Sequence, residues 1–186
     1  SVTYLANKNV GTAKVVICGK GVYTNSLTKT FTIRPETMAS AVINGCKAKY
    51  SYTGKQIKPL IQVVWNGKVL KNNTDYTLLY KNNKKRGAAG IIVSGKGNYS
   101  GTLTASFTIV RASVKKASVT GLKAVYARTG KAVKPKVTVK LGGKKLKKKR
   151  DYILSYRKNK KKGTALLYVK GVGNYSGTKK MKFKIR

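Results

Sequence analysis

The sequence predicts an all-β protein built from tandem repeats with a period of 76 residues. Apolar and polar residues alternate along several short segments, which is the period of a half-buried strand. No segment has the 3.6-residue apolar period of a helix. Identical residues recur at the same interval, namely Tyr4, Tyr80 and Tyr156, then Gly11, Gly87 and Gly163, then Phe31, Phe107 and Phe183. A fixed interval of this length indicates that one structural unit is repeated along the chain.

The period divides the chain into two full repeats, 37–112 and 113–186, and a leading piece, 1–36. Each full repeat is long enough to form a small core, so we expect two domains with nearly the same backbone. The leading piece matches the second half of a repeat, and we expect it to supply the strands of an incomplete domain. The apolar side chains that this piece would bury only against a partner are Ala13, Val15, Ile17 and Phe31.

The clearest strand signal lies in the second repeat. Its inward side chains would be Val133, Pro135, Val137, Val139 and Leu141. The lysines between them, Lys134, Lys136 and Lys140, would face solvent. Gly142-Gly143 follows, and Asn66-Gly67 takes its place in the first full repeat. Both pairs accept the positive φ angles of a tight hairpin turn.

Two further strands are expected at about 75–81 and 88–94. The last strand would point Ala105, Phe107 and Ile109 inward in one repeat and Met181, Phe183 and Ile185 in the next. Six or seven short strands with Gly-rich turns in each repeat predict a two-sheet sandwich of immunoglobulin-like type. The recurring tyrosines suit core or corner positions with their hydroxyls hydrogen-bonded.

Two recurring motifs could be mistaken for functional sites. The segment Gly95-Lys96-Gly97-Asn98-Tyr99 is similar to a phosphate-binding loop. No helix follows it to supply an N-terminal dipole, and it recurs at 19–23 and 171–175, so a structural turn or bulge is the better interpretation. Asp75 and Asp151 share one position just ahead of a strand, where a side chain that caps a turn is expected.

The residues needed for acid–base chemistry are nearly absent. The chain contains no histidine, and its only carboxylates are Glu36, Asp75 and Asp151. No repeat holds the carboxylate pair that glycosidases use, and there is no Cys/His cluster with metal-ligand spacing. We therefore expect no enzymatic activity, no metal and no cofactor.

The two cysteines, Cys18 and Cys46, do not recur with the period. They are either unrelated thiols or a disulfide that joins the leading piece to the next repeat. Alternation with Val15 and Ile17 places the side chain of Cys18 on the outer face of its strand. No run of some 18 apolar residues is present, so we expect no membrane span.

A specific string of residues runs through the first full repeat. It consists of Tyr52-Thr53-Gly54-Lys55-Gln56-Ile57-Lys58-Pro59, Asp75-Tyr76, Asn82-Asn83 and Gly95-Lys96-Gly97-Asn98-Tyr99-Ser100-Gly101-Thr102. This string resembles the bacterial immunoglobulin-like, MBG-type repeats of large secreted or wall-attached proteins of Gram-positive bacteria. The resemblance covers essentially the whole chain. It implies an extracellular, secreted or cell-wall-associated location and a role in spacing or adhesion, without catalytic residues.

The charge departs from that family, whose repeats are usually threonine-rich and far less basic. The chain has 42 basic and 3 acidic residues, a net charge of +39. Residues 113–186 hold 25 of the basic residues and one acid, whereas 37–112 hold 12 and one. Solubility does not need such an excess, and lysine in place of arginine suits diffuse, salt-sensitive attraction to polyanions.

We expect the polyanion to be bound by a lysine-rich face and two loops. The candidate residues are Lys134, Lys136, Lys140, Lys144, Lys145, Lys147, Lys148, Lys149, Arg150, Lys158, Lys160, Lys161, Lys162, Lys180, Lys182 and Lys184. The last three replace Thr104, Ser106 and Thr108 of the preceding repeat, and we expect Lys134, Lys136 and Lys140 to form neighbouring rows. The loops 144–150 and 158–162 should lie at opposite ends of the domain.

The partner indicated is an anionic polymer, either teichoic acid-like or a sulfated or sialylated glycan. Two alternatives stay open. One is a purely structural stalk, for which the charge reflects only the surroundings. The other is a non-specific nucleic-acid binder, although no recognised nucleic-acid-binding motif is present.

Overall fold

The computed structural model describes residues 1–186 and confirms the all-β prediction. The leading strands are β1 (Val2–Leu5), β2 (Gly11–Cys18), β3 (Ser26–Ile33) and β4 (Glu36–Thr37). The middle strands are β5 (Val42–Asn44), β6 (Lys49–Ser51), β7 (Gln62–Trp65), β8 (Lys68–Val69), β9 (Tyr76–Lys81), β10 (Gly87–Gly95), β11 (Tyr99–Ser100) and β12 (Thr102–Val110). The last strands are β13 (Ala112–Ser113), β14 (Ser118–Thr120), β15 (Val125–Tyr126), β16 (Thr138–Leu141), β17 (Lys144–Lys145), β18 (Tyr152–Arg157), β19 (Gly163–Gly171), β20 (Tyr175–Ser176) and β21 (Thr178–Ile185).

The only helical element is a single 3-10 turn, Val114–Lys116, between β13 and β14. Ser113 caps it, because its side chain accepts a hydrogen bond from the Lys115 N–H. No helix has the length and apolarity needed to cross a membrane. Strands β9 and β18 begin 76 residues apart, at Tyr76 and Tyr152, and β10 and β19 begin at Gly87 and Gly163.

The chain folds into two units, one of residues 1–48, 58–82 and 89–107 and the other of residues 49–57, 83–88 and 108–186. The repeat boundaries inferred from the sequence, 37–112 and 113–186, stay a prediction.

In the first unit, β1, β2 and β3 form an antiparallel sheet, and β5, β7 and β8 form another. Strands β9 and β10 are also antiparallel, whereas the short β4 runs parallel to β11. The buried apolar side chains include Met38, Val63, Leu70, Tyr76, Ile91, Val93, Tyr99 and Phe107. On β2 and β3, Ala13 is buried, but Ile17 and Phe31 are 44% and 41% exposed. The leading sheet therefore covers only part of its apolar face.

In the second unit, a four-stranded sheet has the order β15-β21-β19-β18, with β15 parallel to β21 and the other pairs antiparallel. A three-stranded antiparallel sheet has the order β14-β16-β17. Val139 and Leu146 from the side of the three-stranded sheet share one buried cluster with Leu167, Val169 and Phe183 from the four-stranded sheet. The inner faces of the two sheets thus enclose one core, which is a sandwich-like arrangement.

The two predicted hairpins are confirmed. Asn66 and Gly67 have φ angles of 45° and 76°, and Gly142 and Gly143 have angles of 55° and 75°. Each pair closes a two-residue loop, since Trp65 pairs with Lys68 and Leu141 pairs with Lys144. Left-handed φ angles at both positions give the twist that two-residue hairpins require.

The structural interpretation of the two recurring motifs is also confirmed. The segment 95–99 is a turn in which the Tyr99 N–H donates to the Lys96 carbonyl at 3.3 Å, and Gly97 has a φ of +65°. The carboxylate of Asp75 accepts the Lys71 N–H at 2.8 Å, and that of Asp151 accepts the Lys147 N–H at the same distance. Both aspartates therefore close the turn that precedes a strand.

The strand predicted over 133–141 is shorter than expected. Regular pairing begins only at Thr138 in β16. Pro135 has no N–H to donate to a ladder, and its carbonyl accepts the Tyr156 hydroxyl at 2.7 Å instead. The Val133 N–H is likewise bonded outside a ladder, to the Asn159 carbonyl at 2.7 Å. The predicted alternation of burial nevertheless holds, with Pro135 and Val139 buried and Lys134, Lys136 and Lys140 exposed.

Candidate polyanion-binding surface

A ladder of lysines occupies the outer side of β21. Phe183 and Ile185 point into the core and are 2% and 1% exposed. Successive side chains of the strand point to opposite faces, so Lys180, Lys182 and Lys184 point away from the core. All three are exposed, as the sequence predicts. Side chains on one face of a strand lie about 6.6 to 6.8 Å apart. The ladder is therefore a row of evenly spaced cations on a flat surface.

The register of the sheet shows which residues flank this ladder. Within β19, Tyr168 is paired with Lys180 and Leu166 with Lys182. Ala165, Leu167 and Val169 of β19 are buried, so alternation puts Leu166 and Tyr168 on the same outer face as the lysines. None of the three carboxylates of the chain lies in β15, β18, β19 or β21. The face is thus cationic without an internal counter-charge.

The one aromatic ring on this face is Tyr168. The ring is partly exposed. The Lys180 Nζ lies 6.0 Å from its centroid, and the Arg157 Cζ lies 5.8 Å from it. Lys180 belongs to β21 and Arg157 to β18, which are the strands on either side of β19. The ring is therefore bordered by one cation from each neighbouring strand.

Neither Tyr168 nor Arg157 was predicted as part of the surface. The expectation that the tyrosines are used inside the fold holds for Tyr80 and Tyr156, whose hydroxyls donate to Pro59 and Pro135 at 2.9 and 2.7 Å. It is wrong for Tyr4 and Tyr23 of the leading piece, which recur with the period but are 57% and 76% exposed. The period contains a signal that could have identified Tyr168. Its counterparts are Ile92 and Val16, so it is not one of the recurring tyrosines.

The lysines at 134, 136 and 140 do not form rows next to the ladder, contrary to expectation. Lys140 lies in β16, which belongs to the three-stranded sheet, while Lys180, Lys182 and Lys184 lie in the four-stranded one. Lys134 and Lys136 are exposed but precede β16 and belong to no strand. Lys140 is directly opposite Lys145 of β17. This places two like charges across one antiparallel pair, which is unfavourable.

The first predicted loop separates into free and paired cations. Lys144, Lys145, Lys147, Lys148 and Lys149 are exposed, whereas Leu146 among them is buried. The guanidinium of Arg150 makes two hydrogen bonds of 2.9 Å to the carboxylate of Asp151. The Arg150 guanidinium, together with the Lys147 N–H, holds the pKa of Asp151 below its usual value despite the opposing effect of burial. Arg150 is thus largely neutralised, unlike the other predicted cations.

The second predicted loop follows β18, so the two loops lie at opposite ends of that strand. Lys158, Lys160, Lys161 and Lys162 are exposed and, with Asn159, line a shallow depression of about 500 Å³. The Asn159 side chain donates to the Val133 carbonyl at 2.8 Å. This bond fixes the centre of the loop and leaves the lysines on both sides of it free to face an anion.

The cysteines are free in this structure. Cys18 is exposed, as predicted, whereas Cys46 is only partly exposed. Burial raises the pKa of the Cys46 thiol, whose proton is directed to the Lys47 carbonyl at a sulfur–oxygen distance of 3.8 Å. No group of three or more His, Cys, Asp or Glu residues could hold a metal ion.

Comparison with known proteins found no match for this chain among protein-family models, curated proteins or solved structures.

Proposed function

We propose that the chain is a non-catalytic, extracellular module of tandem immunoglobulin-like repeats that binds a polyanion through its lysine-rich surface. The polyanion is an anionic cell-wall polymer or an acidic glycan. Binding would attach a larger secreted or surface protein to that polymer. The immunoglobulin-like character and the location follow from the resemblance of the motif string to bacterial repeats of this type.

The observation that carries the proposal is the lysine ladder of β21. Lys180, Lys182 and Lys184 point away from the core and face no carboxylate in their sheet. In β12, 76 residues earlier, the same outward positions hold Thr104, Ser106 and Thr108. The sheet therefore does not need charge at these positions, and a row of uncompensated cations is suited to a chain of anions.

The pair of Lys140 and Lys145 argues against the alternative that the lysines serve solubility alone. Directly opposed like charges destabilise an antiparallel pair by a few tenths of a kcal/mol to about 1 kcal/mol. The corresponding positions of β7 and β8 hold Val64 and Val69, which also face each other. Charge placed where it weakens the sheet is expected when an external anion relieves the repulsion.

The full chain should bind heparin, teichoic acid and double-stranded DNA, with neutral dextran as the negative control. The affinity is measured at several salt concentrations between about 0.05 and 0.5 M. A polyanion-binding surface predicts that log affinity falls linearly with log salt, because counterions are released. Absence of binding to every polyanion at low salt, or an affinity that salt does not change, would overturn the proposal and favour a structural stalk.

A further inference from the structure

We propose that Tyr168 and the cations beside it form a subsite for a sugar ring, so that the bound polyanion is an acidic polysaccharide. This inference rests on the proposed function and narrows it. It separates a polymer with charged rings from one, such as a polyol phosphate, that carries charge without a ring.

The ring of Tyr168 lies on the outer face of the four-stranded sheet. Tyr168 lies in β19, which is the central strand of the β21-β19-β18 part of the sheet, on the face turned away from the core. Leu166 lies two residues before it on the same face, and Ile153 of β18, which is paired with Lys170, is 41% exposed. Two apolar side chains thus lie near the aromatic ring on an open face, while its direct cross-strand neighbours are Ser155 and Lys180. The ring and these apolar side chains can pack against the C–H face of a pyranose, whereas a simple anion gains nothing from them.

Two cationic side chains lie near the ring of Tyr168. Lys180 and Arg157 lie 6.0 and 5.8 Å from the ring centroid, which is at the outer limit of a cation–π contact. Both cationic groups lie over the ring, but at these distances neither is in close contact with it. A sugar packed on Tyr168 would have a carboxylate or sulfate within reach of a cation on either side. Lys182 and Lys184 continue the row along β21 for the next charged groups.

A single ring also favours a glycan over a single-stranded nucleic acid. Proteins that bind single strands stack successive bases on several aromatic side chains. The outward residues of β18 are Ile153, Ser155 and Arg157, and those of β19 include Leu166 and Lys170, so Tyr168 has no aromatic neighbour there. A hydroxyl that can both donate and accept hydrogen bonds is also suited to sugar hydroxyls.

The test replaces Tyr168 by Ile, the residue that stands at the equivalent position 92, and separately by Phe. Each full-length variant is titrated at constant salt with a heparin oligosaccharide, with polyphosphate, which has charge but no ring, and with oligodeoxythymidylate. The charge control is the triple variant Lys180→Thr, Lys182→Ser, Lys184→Thr. Circular dichroism and the thermal midpoint of unfolding show whether each variant is folded. We expect no change in folding, because the replaced side chains point away from the core.

We expect Tyr168→Ile to weaken heparin binding about two- to tenfold and to leave polyphosphate binding unchanged. Tyr168→Phe should retain most of the affinity for heparin. Unchanged heparin binding in Tyr168→Ile, with all ligands weakened in the triple variant, would overturn the subsite and leave the polyanion function standing. Equal losses for heparin and polyphosphate, or a larger loss for oligodeoxythymidylate, would also overturn it. If the unaltered chain binds none of the three, the proposed function fails as well.

Discussion

Removing the lysine ladder of β21 is the most direct perturbation of the proposed surface. Lys180→Thr, Lys182→Ser and Lys184→Thr together install the residues that β12 carries at the same outward positions. Threonine suits a strand, and the inward residues Phe183 and Ile185 are unchanged. We therefore expect the triple variant to fold like the original chain while its face loses three uncompensated charges.

The size of the effect follows from counterion release. Each cation that neutralises an anion of the polymer contributes roughly 0.7 to 0.9 to the slope of log affinity against log salt. Loss of three contacts should thus make the slope shallower by about 2 to 3. If the triple variant and the original chain bind equally at 1 M salt, this difference in slope predicts that the variant binds roughly 50- to 200-fold more weakly than the original chain at about 0.15 M salt.

The assay is a titration of the full chain and the triple variant with heparin at four or more salt concentrations. The control removes the same amount of charge elsewhere, by replacing Lys8, Lys14 and Lys29 of the leading residues with threonine. We expect only the β21 variant to have a much shallower slope. If both variants lose affinity and slope equally, binding depends on net charge alone, and the surface has been assigned wrongly.

Three further predictions concern stability and the thiols. Asp151→Asn should lower the free energy of unfolding at neutral pH by roughly 1.5 to 3 kcal/mol, because a nearly buried carboxylate loses its charged hydrogen bonds. Since the folded pKa of Asp151 lies below its usual value, this stabilisation is complete above about pH 4 and is lost as the pH falls through the folded pKa. Denaturant unfolding of both proteins across that range should therefore show curves that converge in acid, and parallel curves would contradict the assignment. Lys145→Val should raise the unfolding free energy by about 0.2 to 1 kcal/mol, since it removes the repulsion with Lys140; urea midpoints measure it, and a lower midpoint would refute the argument. Cys18 should be alkylated in the native protein faster than Cys46, as judged by mass after short exposure, and a mass that changes with reductant would instead reveal a disulfide.

The parts of the fold that the sequence predicts well are those controlled by neighbouring residues. The inward position of Phe183 and the outward position of Lys182 follow from period two, because successive side chains of a strand point to opposite faces. The turn at Gly142-Gly143 follows from the tolerance of glycine for positive φ. The hydrogen bond from the Lys147 N–H to the Asp151 carboxylate follows from the preference of aspartate for positions where its side chain caps a turn. Each of these needs only a few adjacent residues.

The parts that were not predicted depend on which strands become neighbours. Alternation shows that Lys140 and Lys182 both face outward, but it does not show that they lie in different sheets. The position of Tyr168 between Lys180 and Arg157 could not be predicted for the same reason, since these three residues come from three strands whose pairing the sequence does not show. The pairing of Arg150 with Asp151 was missed for another reason. Adjacent residues can reach each other only if the turn directs both side chains to the same side.

Comparison of corresponding strands separates what the fold needs from what the surface adds. The buried positions keep their apolar character, as Ile91 and Leu167 or Phe107 and Phe183 illustrate. Several outward positions gain lysine, as in the change from Val64 and Val69 to Lys140 and Lys145 and from Thr104 to Lys180, although Lys49 is replaced by Val125. Because a surface lysine opposite another lysine reduces stability, folding alone gives no reason for this change. An anionic partner would reverse the sign of that energy, so lysines that repel one another in the free protein would contribute to stability in the complex. Heparin or polyphosphate should therefore raise the thermal midpoint of the original chain more than that of a variant without the ladder.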